Sequence, residues 1–150
     1  MKLWIRYWGS VILERNTKRE QSEYFTAIIF NLIFLYIVNN LLNWHIYFIT
    51  NAFNEVIWII NLTIIATIIG NALLLLYNPL WFRHLMKIIL NIFAFIAVYI
   101  VYNIFPFNFY NSFYDWAFNI LLILGMIGIV IATIVEIYLL ITGKLKLMEN

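Results

Sequence analysis

Four apolar runs set the terms on which this 150-residue chain can fold. A bilayer core of roughly 30 Å takes about 20 residues of α-helix at 1.5 Å each, and four stretches reach that length. They are YFTAIIFNLIFLYIVNNLLN (24–43), VIWIINLTIIATIIGNALLLLY (56–77), LMKIILNIFAFIAVYIVYNIF (85–105) and WAFNILLILGMIGIVIATIVEIYLLIT (116–142). Asn78-Pro79 follows the second and Pro106 the third, where proline cannot continue the hydrogen-bond ladder. Charged residues are only 11% of the chain and hydrophobic residues 65%, with a mean hydropathy of +0.93. A soluble domain carries about 25% charged residues. So few charges cannot cover a water-facing surface, and lipid must be the main solvent. The expected fold is all-α: a single membrane domain over residues 1–150, built as an integral membrane four-helix bundle.

Basic residues orient the spans. Lys2, Arg6, Arg15, Lys18 and Arg19 precede the first, Arg83 and Lys87 lie around the turn between the second and third, and Lys144 and Lys146 follow the fourth. The other two loops hold no Lys or Arg. The positive-inside bias then predicts a multi-pass protein of the cytoplasmic membrane with both termini in the cytoplasm.

The N-terminal stretch MKLWIRYWGSVIL is too short to span and lacks a small-residue cleavage pattern, so no signal peptide is expected. Trp4, Trp8, Val11 and Ile12 fall on one helical face, with Lys2 and Arg6 able to reach headgroups. A short interfacial helix on the inner leaflet is expected there, followed by a polar hinge at Arg15, Lys18 and Arg19.

One acidic residue interrupts the fourth run. Glu136 lies seven residues before Gly143, about 10 Å of helix into the inner part of the span. A charge at a helix centre costs roughly 2.5–3.5 kcal/mol, less toward the interface, so a partner is expected. Gly125, Gly128 and Ala132 share a helical stripe with Glu136, and small residues admit a neighbouring helix. That pattern predicts that Glu136 points into the protein. Gly70 and Ala66 form a similar packing stripe on the second span. Asn31, Asn71 and Asn91 each lie at a comparable depth from the basic side, and Lys87 is one turn nearer the cytoplasm. The expectation is an intramembrane polar cluster of Glu136, Lys87, Asn31, Asn71 and Asn91, with Arg83 and His84 just below it.

The outer loops are rich in aromatic residues, from Trp44, Tyr47 and Phe48 on one to Phe107, Phe109, Tyr110, Phe113 and Tyr114 on the other. Such residues favour the membrane interface, which explains most of them; their density here suits either an apolar cap or a docking surface for another membrane protein or a lipid.

Little chemistry is legible. There is no cysteine, so no disulfide or thiolate. His45 and His84 lie on opposite sides and cannot share a metal, and Glu55 and Asp115 are read as solvated loop carboxylates. No phosphate-binding loop, nucleophile elbow or zinc-protease motif occurs, and the basic residues are explained without nucleic acid. No catalytic residue, metal or cofactor is expected. The leading function is a non-enzymatic subunit or scaffold that assembles as a homo-oligomer or with another membrane protein. The alternative is an oligomeric channel, pore or transporter with Glu136 and the inner asparagines lining its cytoplasmic mouth.

Overall fold

The computed structural model describes the backbone of residues 2–148 and the side chains of residues 18–143. It contains α1 (Lys2–Asn40), α2 (Phe53–Leu76), α3 (Leu80–Ile104) and α4 (Ser112–Met148). Each holds a segment long and apolar enough to cross a membrane: Lys18–Asn40, Phe53–Leu76, Leu80–Ile104 and Ser112–Gly143. The chain is a small polytopic membrane protein, four helices packed as a bundle in a lipid bilayer.

The N-terminal expectation needs correction. No separate interfacial helix is seen, because α1 runs without a break from Lys2 to Asn40. The expected hinge at Arg15, Lys18 and Arg19 lies in the polar stretch ERNTKREQ (14–21), which contains neither Pro nor Gly and is mostly strong helix formers. Arg19 also pairs with Glu23 one turn on, at 3.2 Å. The aromatic face of Trp4 and Trp8 lies outside the described side chains.

Local signals fix the other ends. Tyr77, two residues before Pro79, is extended (φ −144°, ψ 110°) and caps α2 by donating to the Leu73 carbonyl at 2.8 Å. Pro79 then occupies the N-cap of α3. Phe105 closes α3 in the left-handed region (φ 43°), its amide bonded to Val101 O, and the buried Pro106 follows. Asn111 starts α4 by accepting a bond from the Phe113 amide at 2.9 Å.

Each helix packs antiparallel on its neighbours in sequence: α1 on α2, α2 on α3, and α3 on α4. The middle position of α2 explains why most of the buried residues belong to it, among them Phe53, Val56, Ile59, Ile64 and Leu74. Val38 of α1 joins Phe53, Val56 and Ile64 in a buried hydrophobic cluster. Gly70 is buried where α3 crosses, and a Cβ there would stand 3.1 Å from Leu90 Cδ1 and Met86 Cε. Ala66, one turn earlier, is half-buried.

The fourth helix packs differently from the small-residue expectation. Its half-buried positions include Leu122, Met126, Ile129, Thr133, Glu136 and Leu140, alternating four and three residues apart. That is a heptad-like seam against α3. Gly125, Gly128 and Ala132 lie on the flank of this seam and are exposed, and nothing stands within 4 Å of a Cβ built on either glycine. The stripe therefore does not pack against the chain's own helices. Lipid tails are as apolar as leucine, so no solvent force turns small residues inward rather than outward.

At the aromatic end the two loops are joined by backbone. Ile49 and Phe107 form an antiparallel bridge, flanked by Thr50 N to Pro106 O at 3.0 Å and Asn108 N to Phe48 O at 2.8 Å. Phe48 stacks on Phe109 at 5.2 Å, and Phe107 meets Phe118 of α4 edge-on at 4.8 Å. Tyr47 and Tyr110 stack above them and remain exposed.

Candidate functional site

Glu136, His84 and Lys87 meet between α3 and α4. His84, Lys87 and Asn91 recur at i, i+3 and i+7 on α3, so they share the stripe that faces the α4 seam. Glu136 stands on the edge of that seam. Its Oε2 lies 2.5 Å from His84 Nδ1 and its Oε1 accepts from Lys87 Nζ at 3.2 Å. The side chains of Glu136 and His84 are 14% and 17% exposed, whereas that of Lys87 is 47% exposed. The carboxylate is thus enclosed by two cationic-capable groups on one neighbouring helix. Lys87 reaches it on a flexible stem while keeping part of its surface outside. Both carboxylate oxygens are engaged.

The expected asparagine layer does not assemble around this pair. Asn31 donates to Ala27 O and Asn71 to Thr67 O, each at 2.8 Å, four residues back on its own helix. Asn71 is buried and Asn31 half-buried. A comparable count of residues from the basic side did not aim these side chains at one another. Asn91 lies near the middle of α3 and lines a groove of about 220 Å³ between α3 and α4, beside Ile92, Phe95, Val130, Thr133 and Ile134. Only Lys87 of the expected partners contacts Glu136, and His84, expected just below the cluster, is its closer neighbour.

A second polar constellation lies at the same end of the bundle. Arg83 makes a bidentate pair with Glu20, at 2.8 and 2.7 Å, and its Nε donates to Asn78 Oδ1 at 3.0 Å. Asn78 Nδ2 in turn donates to Glu20 Oε2 at 3.2 Å, and Tyr24 donates its hydroxyl to Asn78 Oδ1 at 3.4 Å. This fork ties α1 to the α2–α3 turn. Sequence reasoning missed it because a polar hinge was expected at Arg15, Lys18 and Arg19, and Glu20 beside them was given no role. The signal was present in helix continuity, which places Glu20 and Tyr24 on one face of α1, four residues apart. In the other half of the bundle Asn39 and Asn61 exchange amide hydrogen bonds, 2.9 Å in each direction, and join α1 to α2.

These arrangements are held by their own charges and amides. Among the described residues no group of three or more His, Asp or Glu side chains is placed to hold a metal ion. Comparison with protein-family models, with curated proteins and with solved structures finds no match to this chain.

Proposed function

We propose that this chain is a non-enzymatic subunit or scaffold of the cytoplasmic membrane, with both termini in the cytoplasm, that assembles with itself or with another membrane protein. The observation that carries this reading is the position of α4. It packs on α3 alone, and none of the most apolar window of Ser112–Gly143 is buried inside the molecule. The exposed Gly125, Gly128 and Ala132 stripe leaves its backbone open to close approach by another helix. The orientation rests on the basic residues, of which the described Lys18, Arg19, Arg83 and Lys87 fall at the end of the bundle away from the aromatic loops.

The pore reading draws on the same Glu136. It is less favoured because both carboxylate oxygens are taken by His84 and Lys87, while Asn31 and Asn71 are bonded to their own helices. The test is the native mass and composition of the tagged protein after gentle extraction from its own membranes. A stoichiometric second protein or a homo-oligomer is the expected result. A single 18.0 kDa chain in its detergent belt would overturn the reading.

A further inference from the structure

Several asparagines in the spans settle their amides on their own helix. Asn31, Asn39, Asn71, Asn103 and Asn119 each donate to the carbonyl four residues back. Asn91 departs from this pattern. It stands near the middle of α3, at the greatest distance from either headgroup region, and among the described residues its side chain makes no hydrogen bond. It opens into the groove between α3 and α4, whose other walls are Ile92, Phe95, Val130 and Ile134. Thr133, the remaining polar group there, already donates to Ile129 O at 2.7 Å. Ile92, Val130 and Ile134 are exposed, so the groove faces the bilayer sideways.

An amide left without a partner in hydrocarbon is costly, and an acyl chain filling the groove would leave it so. The occupant has to be apolar along its length and bring a hydrogen-bonding group to the depth of Asn91. We infer that this occupant is a second copy of the chain, related by a two-fold axis along the membrane normal that sets the two Asn91 amides face to face. An isologous interface presents the same depth from both sides, so the one polar group required is supplied by symmetry. A carboxamide carries both donor and acceptor, and two of them satisfy each other reciprocally. The chain already uses this device, since Asn39 and Asn61 exchange two 2.9 Å bonds between α1 and α2. The protruding Ile134 of each copy lies against the groove of the other. This inference rests on the assembly reading above and names its partner and its seam.

The absence of native cysteine makes the test direct. Single-cysteine variants Ile92→Cys and Ile134→Cys on the seam, Gly128→Cys on the opposite flank of α4 and Phe30→Cys on the exposed face of α1 are oxidised in native membranes. The two seam variants are expected to give a covalent dimer of twice the 18.0 kDa chain mass, and Phe30→Cys none. Adding Asn91→Val to the Ile134→Cys chain should weaken the dimer about fivefold, the effect of losing a modest inter-helix hydrogen bond. Asn91→Gln, which keeps an amide, should recover part of the yield.

Equal adducts at Phe30→Cys, an adduct of Ile134→Cys with a different protein, or an Asn91→Val dimer of unchanged yield would each overturn the seam. If Gly128→Cys cross-links and Ile134→Cys does not, while the native mass exceeds one chain, assembly stands and the Asn91 seam falls. A monomeric native mass with no adduct at any position overturns both.

Discussion

The Glu136 cluster makes a quantitative prediction about charge in lipid. Substituting His84→Leu and Lys87→Met together removes both groups that contact the carboxylate, at 2.5 and 3.2 Å, and leaves it 14% exposed with no cation beside it. Stranding one member of a buried ion pair costs about 3–5 kcal/mol. The lower part of that range applies here, because Glu136 lies only seven residues from Gly143, roughly 10 Å of helix, and the penalty falls toward the interface. The double variant is therefore expected to lose about 3 kcal/mol. His84→Leu alone should lose about 1.5 kcal/mol, the scale of a hydrogen bond to a charged group.

Removing the acid as well should reverse the loss. Glu136→Leu combined with His84→Leu and Lys87→Met leaves an apolar α3–α4 contact and no stranded charge, and such replacements are often neutral or stabilising. The triple variant is expected within about 1 kcal/mol of the parent. Reversible unfolding in mixed micelles, followed by tryptophan fluorescence, measures all four chains. If the double variant unfolds with the parent, or if the triple variant is no more stable than the double, the cluster is not serving to neutralise Glu136 and this reasoning is wrong.

Three further outcomes follow from other contacts. Gly70→Val should cost about 1–3 kcal/mol because Leu90 and Met86 already stand 3.1 Å from its Cβ position, whereas Gly125→Ala and Gly128→Ala, facing open space, should leave monomer stability unchanged in the same unfolding assay. Arg83→Lys should cost about 1–2 kcal/mol, since an ammonium cannot hold Glu20 bidentately and bond Asn78 as well; Glu20→Gln in the Arg83→Lys background should add little more, as a double-mutant cycle would show. Tyr110, left-handed at φ 57° and 76% exposed, should tolerate Asn and lose about 1–2 kcal/mol on Tyr110→Ile, with thermal unfolding of the purified protein as the measure.

Spans are legible in this sequence because length and hydropathy act through one large term, the transfer of backbone and side chains into lipid. Rotation about each helix axis is not. In a soluble bundle water pulls polar residues to one face and so reveals the other, but in lipid Leu121 and Leu122 cost nearly the same on either side. The Gly125–Gly128–Ala132 stripe therefore gave no reliable bearing on α4, and Glu136 came inward at the edge of a seam set by Leu122, Met126, Ile129 and Thr133. Depth was a better guide than face. It matched Glu136 with Lys87 correctly and failed for Asn31 and Asn71, because an asparagine can settle its amide on the carbonyl one turn back. Glu20 was missed for a third reason. A polar run without Pro or Gly has no signal to stop a helix, and continuity carries its carboxylate to Arg83.

The distribution of these contacts along the bundle bears on how it would assemble. At the basic end the Glu20–Arg83–Asn78 fork holds α1 to the α2–α3 turn, and Glu136 holds α4 to α3. At the aromatic end the Ile49–Phe107 bridge and the Phe107–Phe118 contact fix the loops and the start of α4. Helix α4 is thus tethered on both sides of its middle, where the seam opens into the Asn91 groove. A helix pinned at two points has little freedom left to lose when a partner docks between them. Pre-organisation of this kind lowers the ordering cost of association. It also separates two tasks along one helix: the ends secure the monomer's shape, and the open middle keeps an apolar surface with a single unspent amide. Substitutions at Glu136 or Phe118 should then act on stability and substitutions at Asn91 or Ile134 on association, a division that a helix packed evenly along its length would not produce.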